Sequence, residues 1–283
     1  MKTSPTFLAP SELKPGWYED VPAEVYHSWD LCSNSRLSVI HESSPAHLRW
    51  QLNHPETDRT PALILGEAIH SAVLEPELFE TRFAAAPDVD RRTTKGKEEF
   101  AAFVAANAGK VVLTAEQFRT AKGTSESVWS NLDARIILES PGQLEVSGIF
   151  HDGELRCKFR ADKLSDYFKA TIDLKSCRCA HPRVFERDIY SHGYHRQGAF
   201  YIDGARALGF HALAHYIVAV EKEPPFASVV YELKPEAIDL GRQELTELKR
   251  TYHKCVESGV WPSYPEGLVQ IGVPSWAMKN LEN

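Results

Sequence analysis

The sequence predicts a mixed α/β (α+β) fold, with helices packed around one central sheet. Three observations lead there. Apolar residues recur at helical spacing through most of the first 140 positions, the period switches to two between about 144 and 175, and a long amphipathic stripe follows residue 235. Helices, then a strand meander, then helices, strands and a final helix describe one covered sheet rather than a bundle or a repeat.

Residues 1–30 carry Pro5, Pro10, Pro15, Gly16 and Pro22, and read as an irregular arm whose aromatics (Trp17, Tyr18, Tyr26, Trp29) pack onto the body. Ser33-Asn34-Ser35 supplies an N-cap for a helix over 36–42. Ser44-Pro45 starts the next helix, which Asn53-His54-Pro55 closes. A further helix spans 61–74, with Leu63, Ile64, Ile69 and Val73 apolar. Arg91, Arg92, Lys95 and Lys97 then form a basic loop, followed by helices over 98–106 and 115–138.

Beyond Pro141-Gly142 the alternation is strand-like. Leu144, Val146 and Gly148 alternate with Glu145 and Ser147, and Leu155, Cys157 and Phe159 with Arg156, Lys158 and Arg160. Ala170, Ile172 and Leu174 alternate with Thr171, Asp173 and Lys175. With Asp152-Gly153 as the first turn, these make an antiparallel meander. Helices over 182–190 and 194–208 precede strands near 212–221 and 228–233. The last helix, 235–258, has Ile238, Gly241, Leu245, Leu248, Tyr252 and Cys255 on one stripe. The tail, with Trp261, Pro262, Tyr264, Pro265, Pro274 and Trp276, reads as extended packing.

At 283 residues, with 43% apolar and 25% charged side chains, the chain has an ordinary globular composition, which excludes disorder and coiled-coil rods. No apolar run reaches membrane-spanning length, and Met1-Lys2-Thr3-Ser4-Pro5 does not open a secretory signal. The five cysteines form no C-x2-C pair and read as reduced structural thiols, so the expected compartment is the cytoplasm. A net charge of −7 excludes a protein that coats nucleic acid with its whole surface, but permits binding through a local basic groove or a metal.

The acidic residues of the meander carry the chemistry. Asp173 and Lys175 share one side of their strand, Asp162 closes the strand before it, and Glu145 projects from the strand before that. Leu174 points into the opposite layer, with its carbonyl available to a cation. Carboxylates gathered with one ammonium suit Mg2+ or Mn2+. Such a site hydrolyses phosphodiesters, with Lys175 holding the attacking water. The plainer reading of Asp-x-Lys is a salt-bridged pair on a surface strand. A serine nucleophile has no support, because no Gly-x-Ser-x-Gly elbow occurs. His181, His192, His195, His211 and His215 read as surface and packing residues.

Gln197 and Tyr201 lie four apart on one helix face, and His70 follows Gly66-Glu67-Ala68-Ile69. With Glu145, Asp162 and Asp173-Leu174-Lys175 in that order, the sequence resembles the PD-(D/E)XK nuclease superfamily, in its RecB-type and exodeoxyribonuclease VIII (RecE)-like branch. Ser44-Pro45-Ala46-His47, Asp90-Arg91-Arg92-Thr93, Gly193-Tyr194-His195 and Glu221-Lys222-Glu223-Pro224-Pro225 also look similar to its phage and prophage members.

The resemblance implies a restriction-endonuclease-like core: a central mixed sheet flanked by helices, with an N-terminal helical region. A single nuclease domain would span 31–276, helical over 31–140 and catalytic over 141–260, with 277–283 as a tail. Asp162, Asp173 and the Leu174 carbonyl would ligate metal, Glu145 directly or through water, and His70 would ligate or adjoin a second position. Gln197 and Tyr201 would contact DNA or order the core, and Arg91, Arg92, Lys95 and Lys97 would clamp phosphates. The plainer readings are a packing histidine, a polar helix face and a solvated loop. No downstream cysteine trio accompanies Cys32, so no iron–sulfur cluster is expected.

The implied activity is Mg2+-dependent exonucleolysis of duplex DNA ends, 5′-to-3′, with Mn2+ as substitute. It would serve phage-type recombination and repair in the host cytoplasm. A ring-shaped trimer or tetramer and a single-strand annealing partner are also implied. An endonuclease on the same core, and a non-catalytic DNA-binding or partner-docking module, are the alternatives.

Overall fold

The computed structural model describes residues 13–55 and 59–273. The readings at Pro5, Pro10, Pro274, Trp276 and the 277–283 tail lie outside the described residues. In chain order the elements are β1 (Gly16–Tyr18), α1 (Ala23–Ser28), α2 (Asn34–Glu42), α3 (Pro45–Asn53), α4 (Pro61–Leu74) and α5 (Pro76–Arg82). Next come β2 (Phe83–Ala85), α6 (Thr94–Ala106), β3 (Val111–Leu113), α7 (Ala115–Ser130), α8 (Leu132–Glu139), β4 (Gly142–Asp152) and β5 (Leu155–Ser165). The rest are β6 (Ala170–Cys177), α9 (Pro182–Ser191), α10 (Tyr194–Ala207), β7 (Ala214–Glu221), β8 (Ser228–Glu232) and α11 (Pro235–Ser258).

Six strands form one mixed sheet in the order β1-β4-β5-β6-β7-β8. Its pairs are antiparallel except β6–β7, which is parallel. A parallel neighbour needs a long crossover, and α9 and α10 supply it. That connection lays α10 across the strands that carry the acidic residues.

Two apolar layers close on the sheet. On one side Phe150, Phe159 and Ala161 meet Ala199, Phe200 and Ile202 of α10 and the α11 stripe of Ile238, Leu245 and Leu248. On the other, Ile172, Leu174, Val218 and Val220 meet Ala68, Ile69, Ala72 and Val73 of α4 and Ala121 and Val128 of α7. Gly241 lets α11 approach α10 closely, because a Cβ there would sit 2.4 Å from the His195 carbonyl oxygen.

Three local expectations change. The segment read as an irregular arm adds β1 to the sheet edge, Tyr18 opposite Ser147, and buries Leu13, Trp29 and Leu31 around Ile149. The helix expected over 115–138 breaks at Asn131, whose Oδ1 accepts from Ala134 N–H while its Nδ2 donates to the Ser228 carbonyl at 2.9 Å. A cap that also holds β8 outweighs helix continuity there. The basic loop is partly helical: Thr93 Oγ1 accepts from Gly96 N–H at 3.0 Å, so Lys95 and Lys97 lie in the first turn of α6. The helix α5 and the short parallel pair β2–β3 carry too few residues for a period to reveal them.

Candidate active site

The β5–β6 ladder is short. Lys163, Leu164 and Ser165 pair with Ile172, Thr171 and Ala170, and no pairing continues past Lys163↔Ile172. β5 pairs with β4 on both sides of Asp162, and β6 pairs with β7 from Ala170 to Cys177, so each strand keeps its outer neighbour where the two part. The sheet therefore forks where Asp162 and Asp173 stand. At the fork Asp162 Oδ2 accepts a 2.7 Å hydrogen bond from Leu174 N–H, so a side chain replaces the missing ladder bond.

Glu145 stands beside Asp162 on β4. Its flanking residues Leu144 and Val146 pair with Lys163 and Ala161, while Glu145 itself is unpaired at φ 47°. A left-handed backbone at a non-glycine residue is costly and turns its side chain out of the regular strand alternation. From the other layer, α4 brings His70, with Nδ1 3.6 Å from Asp162 Oδ2. One ligand atom from each of His70, Glu145 and Asp162 lies within 4.8 Å of the others.

Asp173 is held differently. Its Oδ1 accepts from Gln197 Nε2 at 2.8 Å, and its Oδ2 forms an ion pair with Lys175 Nζ at 2.5 Å. The ring of Tyr194 covers the Lys175 ammonium at 5.0 Å, within cation–π range. Tyr201 packs its ring against Phe159 at 5.4 Å and His215 at 6.2 Å. His215 Nδ1 is 2.7 Å from Thr171 Oγ1. Tyr194, Gln197 and Tyr201 thus make one stripe on α10, at spacings of three and four, that packs across β5, β6 and β7.

The electrostatics follow from crowding. Burial, then the Asp162 charge, raises the Glu145 carboxyl to about 8, with Arg160 opposing. Burial, then Asp173, raises Asp162 to about 6 against His70, Lys175 and the Leu174 N–H. Burial alone would lower the Lys175 ammonium, but Asp173 and Asp162 outweigh it and the net shift is upward. Burial lowers His215 to about 4, which leaves it neutral. Like charges gathered at this cost fit a site completed by a cation.

The donor set fits a hard divalent ion: one imidazole nitrogen and carboxylate oxygens. Ligands of one Mg2+ at about 2.1 Å lie at most about 4.2 Å apart, so the trio need draw in only slightly. A second group, Glu154, His253 and Glu257, has comparable spacing, but both carboxylates are exposed and already paired with His253.

The structure thus brings His70, Glu145 and Asp162 together, with Asp173, Lys175, Gln197 and Tyr201 beside them. Asp173 is outside the tight trio, and Leu174 meets Asp162 through its N–H. The basic segment stays local: Arg92 pairs with Asp90, Lys95 with Glu99, and Arg91 lies over Phe100. Two neighbours escaped the sequence reading. Tyr194 was findable, being three residues before Gln197. Arg160 was not, because only folding shows its guanidinium donating to Ser147 Oγ and the Val21 carbonyl, over the Tyr26 ring.

A sheet forked between an Asp and an Asp-x-Lys strand, with a Glu from the next strand and a His from a covering helix, places the molecule in the PD-(D/E)XK nuclease superfamily. Residues 33–270 match the family described as a PDDEXK-like domain of unknown function (DUF3799), and the chain belongs to that family. No curated protein matches it in sequence. A crystal structure from Eubacterium rectale, described as "Putative exonuclease", superposes with a TM-score of 0.61 at 14% identity, covering 92% of this chain and 98% of that one. At that identity the likeness is one of fold. A second structure, of the protein SSO0001, has 15% identity over 64% of this chain and 86% of its own. Its TM-score of 0.27 carries no weight. No described helix is long and apolar enough to cross a membrane.

Proposed function

We propose that this chain is a divalent-metal-dependent DNA exonuclease that hydrolyses phosphodiester bonds from duplex ends, 5′-to-3′, in phage-type recombination. Family membership supports a nuclease. The observation that carries the reading is the His70, Glu145 and Asp162 trio beside the Asp173–Lys175 ion pair at the sheet fork. The exonuclease form is supported by the likeness to RecE-like enzymes and by the description of the Eubacterium rectale neighbour.

In this reading His70, Glu145, Asp162 and Asp173, with the Leu174 carbonyl, would hold the ion. A bound Mg2+ or Mn2+ supplies Lewis acidity at the scissile phosphate and a lowered pKa for water. The chain supplies the rest. Lys175, fixed by Asp173 and Tyr194, donates to the attacking water and offsets charge gathering on the phosphate oxygens. Gln197 holds Asp173 so that its second oxygen faces Lys175. Arg91, Arg92, Lys95 and Lys97 give affinity to the backbone without reading sequence. A ring-shaped homo-oligomer and an annealing-protein partner in the cytoplasm complete the proposal.

The test is digestion of linear duplexes labelled at the 5′ or the 3′ end, with Mg2+, beside a closed circle. Progressive release of the 5′ label, an intact circle and loss of activity in Asp173→Ala and Lys175→Ala are expected. Cutting of the circle makes the protein an endonuclease. Duplex bound but never shortened, with Mg2+ or Mn2+, makes it a binding module.

A further inference from the structure

We propose that the outer face of α9 carries a single strand of DNA past the site, with Arg183 and Arg187 on its phosphates and Tyr190 against a base; this rests on the nuclease reading above. Arg183, Arg187 and Tyr190 fall at i, i+4 and i+7, on one side of the helix, while Phe185 and Ile189 turn into the core. Both arginines are exposed, as is Arg178 in the turn after β6. Among the described residues none of these three guanidiniums forms an ion pair.

That separates them from several other cations of the chain. Arg82 is paired with Glu75, Lys122 with Glu80 and Arg92 with Asp90. Unpaired guanidiniums in a chain of net charge −7 are the ones available to an anionic backbone. Tyr190 is 61% exposed and stacks on the buried His195 at 5.5 Å and 18°, so the imidazole supports one face of the ring and the other is open. A supported aromatic between phosphate-binding arginines is how proteins hold single strands without reading sequence.

The helix itself packs, through its inner side, on a residue of the site. Phe185, on the inner side of α9, packs on Tyr194 at 6.0 Å, and Tyr194 covers the Lys175 ammonium at 5.0 Å. Arg178, exposed in the turn that leaves β6 three residues after Lys175, links that site in the chain to the start of α9. Duplex would meet the arginines equally, but only an unpaired base can stack on Tyr190, and this selects single-stranded DNA.

The experiment measures binding of fluorescein-labelled oligothymidine to the full chain in EDTA, where cutting stops, at several salt concentrations. Arg183→Gln/Arg187→Gln is expected to weaken binding about tenfold and to lower the salt slope by about 1.4, at roughly 0.7 per lost phosphate contact. Tyr190→Ala is expected to weaken it about fivefold or more, and Tyr190→Phe to restore it. Arg135→Gln/Lys254→Gln removes the same charge elsewhere and is expected to leave the slope unchanged, and thermal unfolding checks that each variant folds. Wild-type hydrolysis with an unchanged slope in Arg183→Gln/Arg187→Gln overturns this surface alone. A wild type that neither binds nor cuts DNA overturns the nuclease reading as well.

Discussion

The Asp162 carboxylate accepts the Leu174 N–H at 2.7 Å across the point where β5 and β6 separate. One side chain therefore closes a sheet that would otherwise leave an amide unpaired, and also stands within reach of His70 and Glu145. Structure and chemistry compete for the same oxygens.

That competition makes Asp162→Asn informative. Its amide oxygen still accepts from Leu174, and one buried charge disappears. Metal-free stability is expected to hold or rise, while hydrolysis falls about 10²–10³-fold, as when one electrostatic stabiliser is lost. Thermal unfolding in EDTA beside single-turnover cleavage measures both; loss of fold and activity together would contradict the assignment.

The pH dependence has a definite sign. Glu145 at about 8 and Asp162 at about 6 lie above their ordinary values of 4.5 and 3.8. The folded state thus holds these protons more tightly than the unfolded state. Their stabilisation is full below about pH 4 and is lost as pH rises through about 6 and then about 8. Mg2+ needs the carboxylates ionised, so the melting temperature it adds should grow across that window, with protons released on binding. Melting curves from pH 5 to 9, with Mg2+ or EDTA, should diverge as pH rises; parallel curves would sink the trio as a metal site.

Gln197 donates to a buried carboxylate oxygen, and Gln197→Ala leaves that oxygen unsatisfied. A loss of about 1–3 kcal/mol in urea unfolding is expected. Asp173 also loses its bearing toward Lys175, so kcat should fall more than KM changes. A change in KM alone would mean that Gln197 contacts DNA instead.

Tyr194 holds Lys175 through its ring, so its hydroxyl is dispensable. Tyr194→Phe should retain kcat, whereas Tyr194→Leu should lose about 2- to 30-fold, the worth of about 0.5–2 kcal/mol of cation–π contact. Equal rates in the two variants would remove Tyr194 from the site.

Much of the fold was legible because local chemistry sets it. Ser33, Ser44 and Thr60 cap helices through their own side chains, Pro235–Ser258 declares its buried face by period, and the meander alternates cleanly. The members of the proposed site were legible as a list: Glu145, Asp162, Asp173, Lys175, Gln197 and Tyr201 all lie in or beside the meander and the helix after it. What the list lacked was the contacts among its members. Asp173, expected as a ligand, also accepts from Gln197 and pairs with Lys175, and His70 joins from the opposite layer of the sheet.

The amino-acid order by itself determined the strand and helix alternation, the acidic pair with its lysine, and the helix that braces them, because periodicity and capping act over a few residues. Only the tertiary structure decided where β5 and β6 part, that Glu145 turns through a left-handed backbone beside Asp162, and that Tyr194 of α10 covers the Lys175 ammonium. Those depend on contacts between residues far apart in the chain, and no local pattern encodes the point at which two neighbouring strands stop pairing.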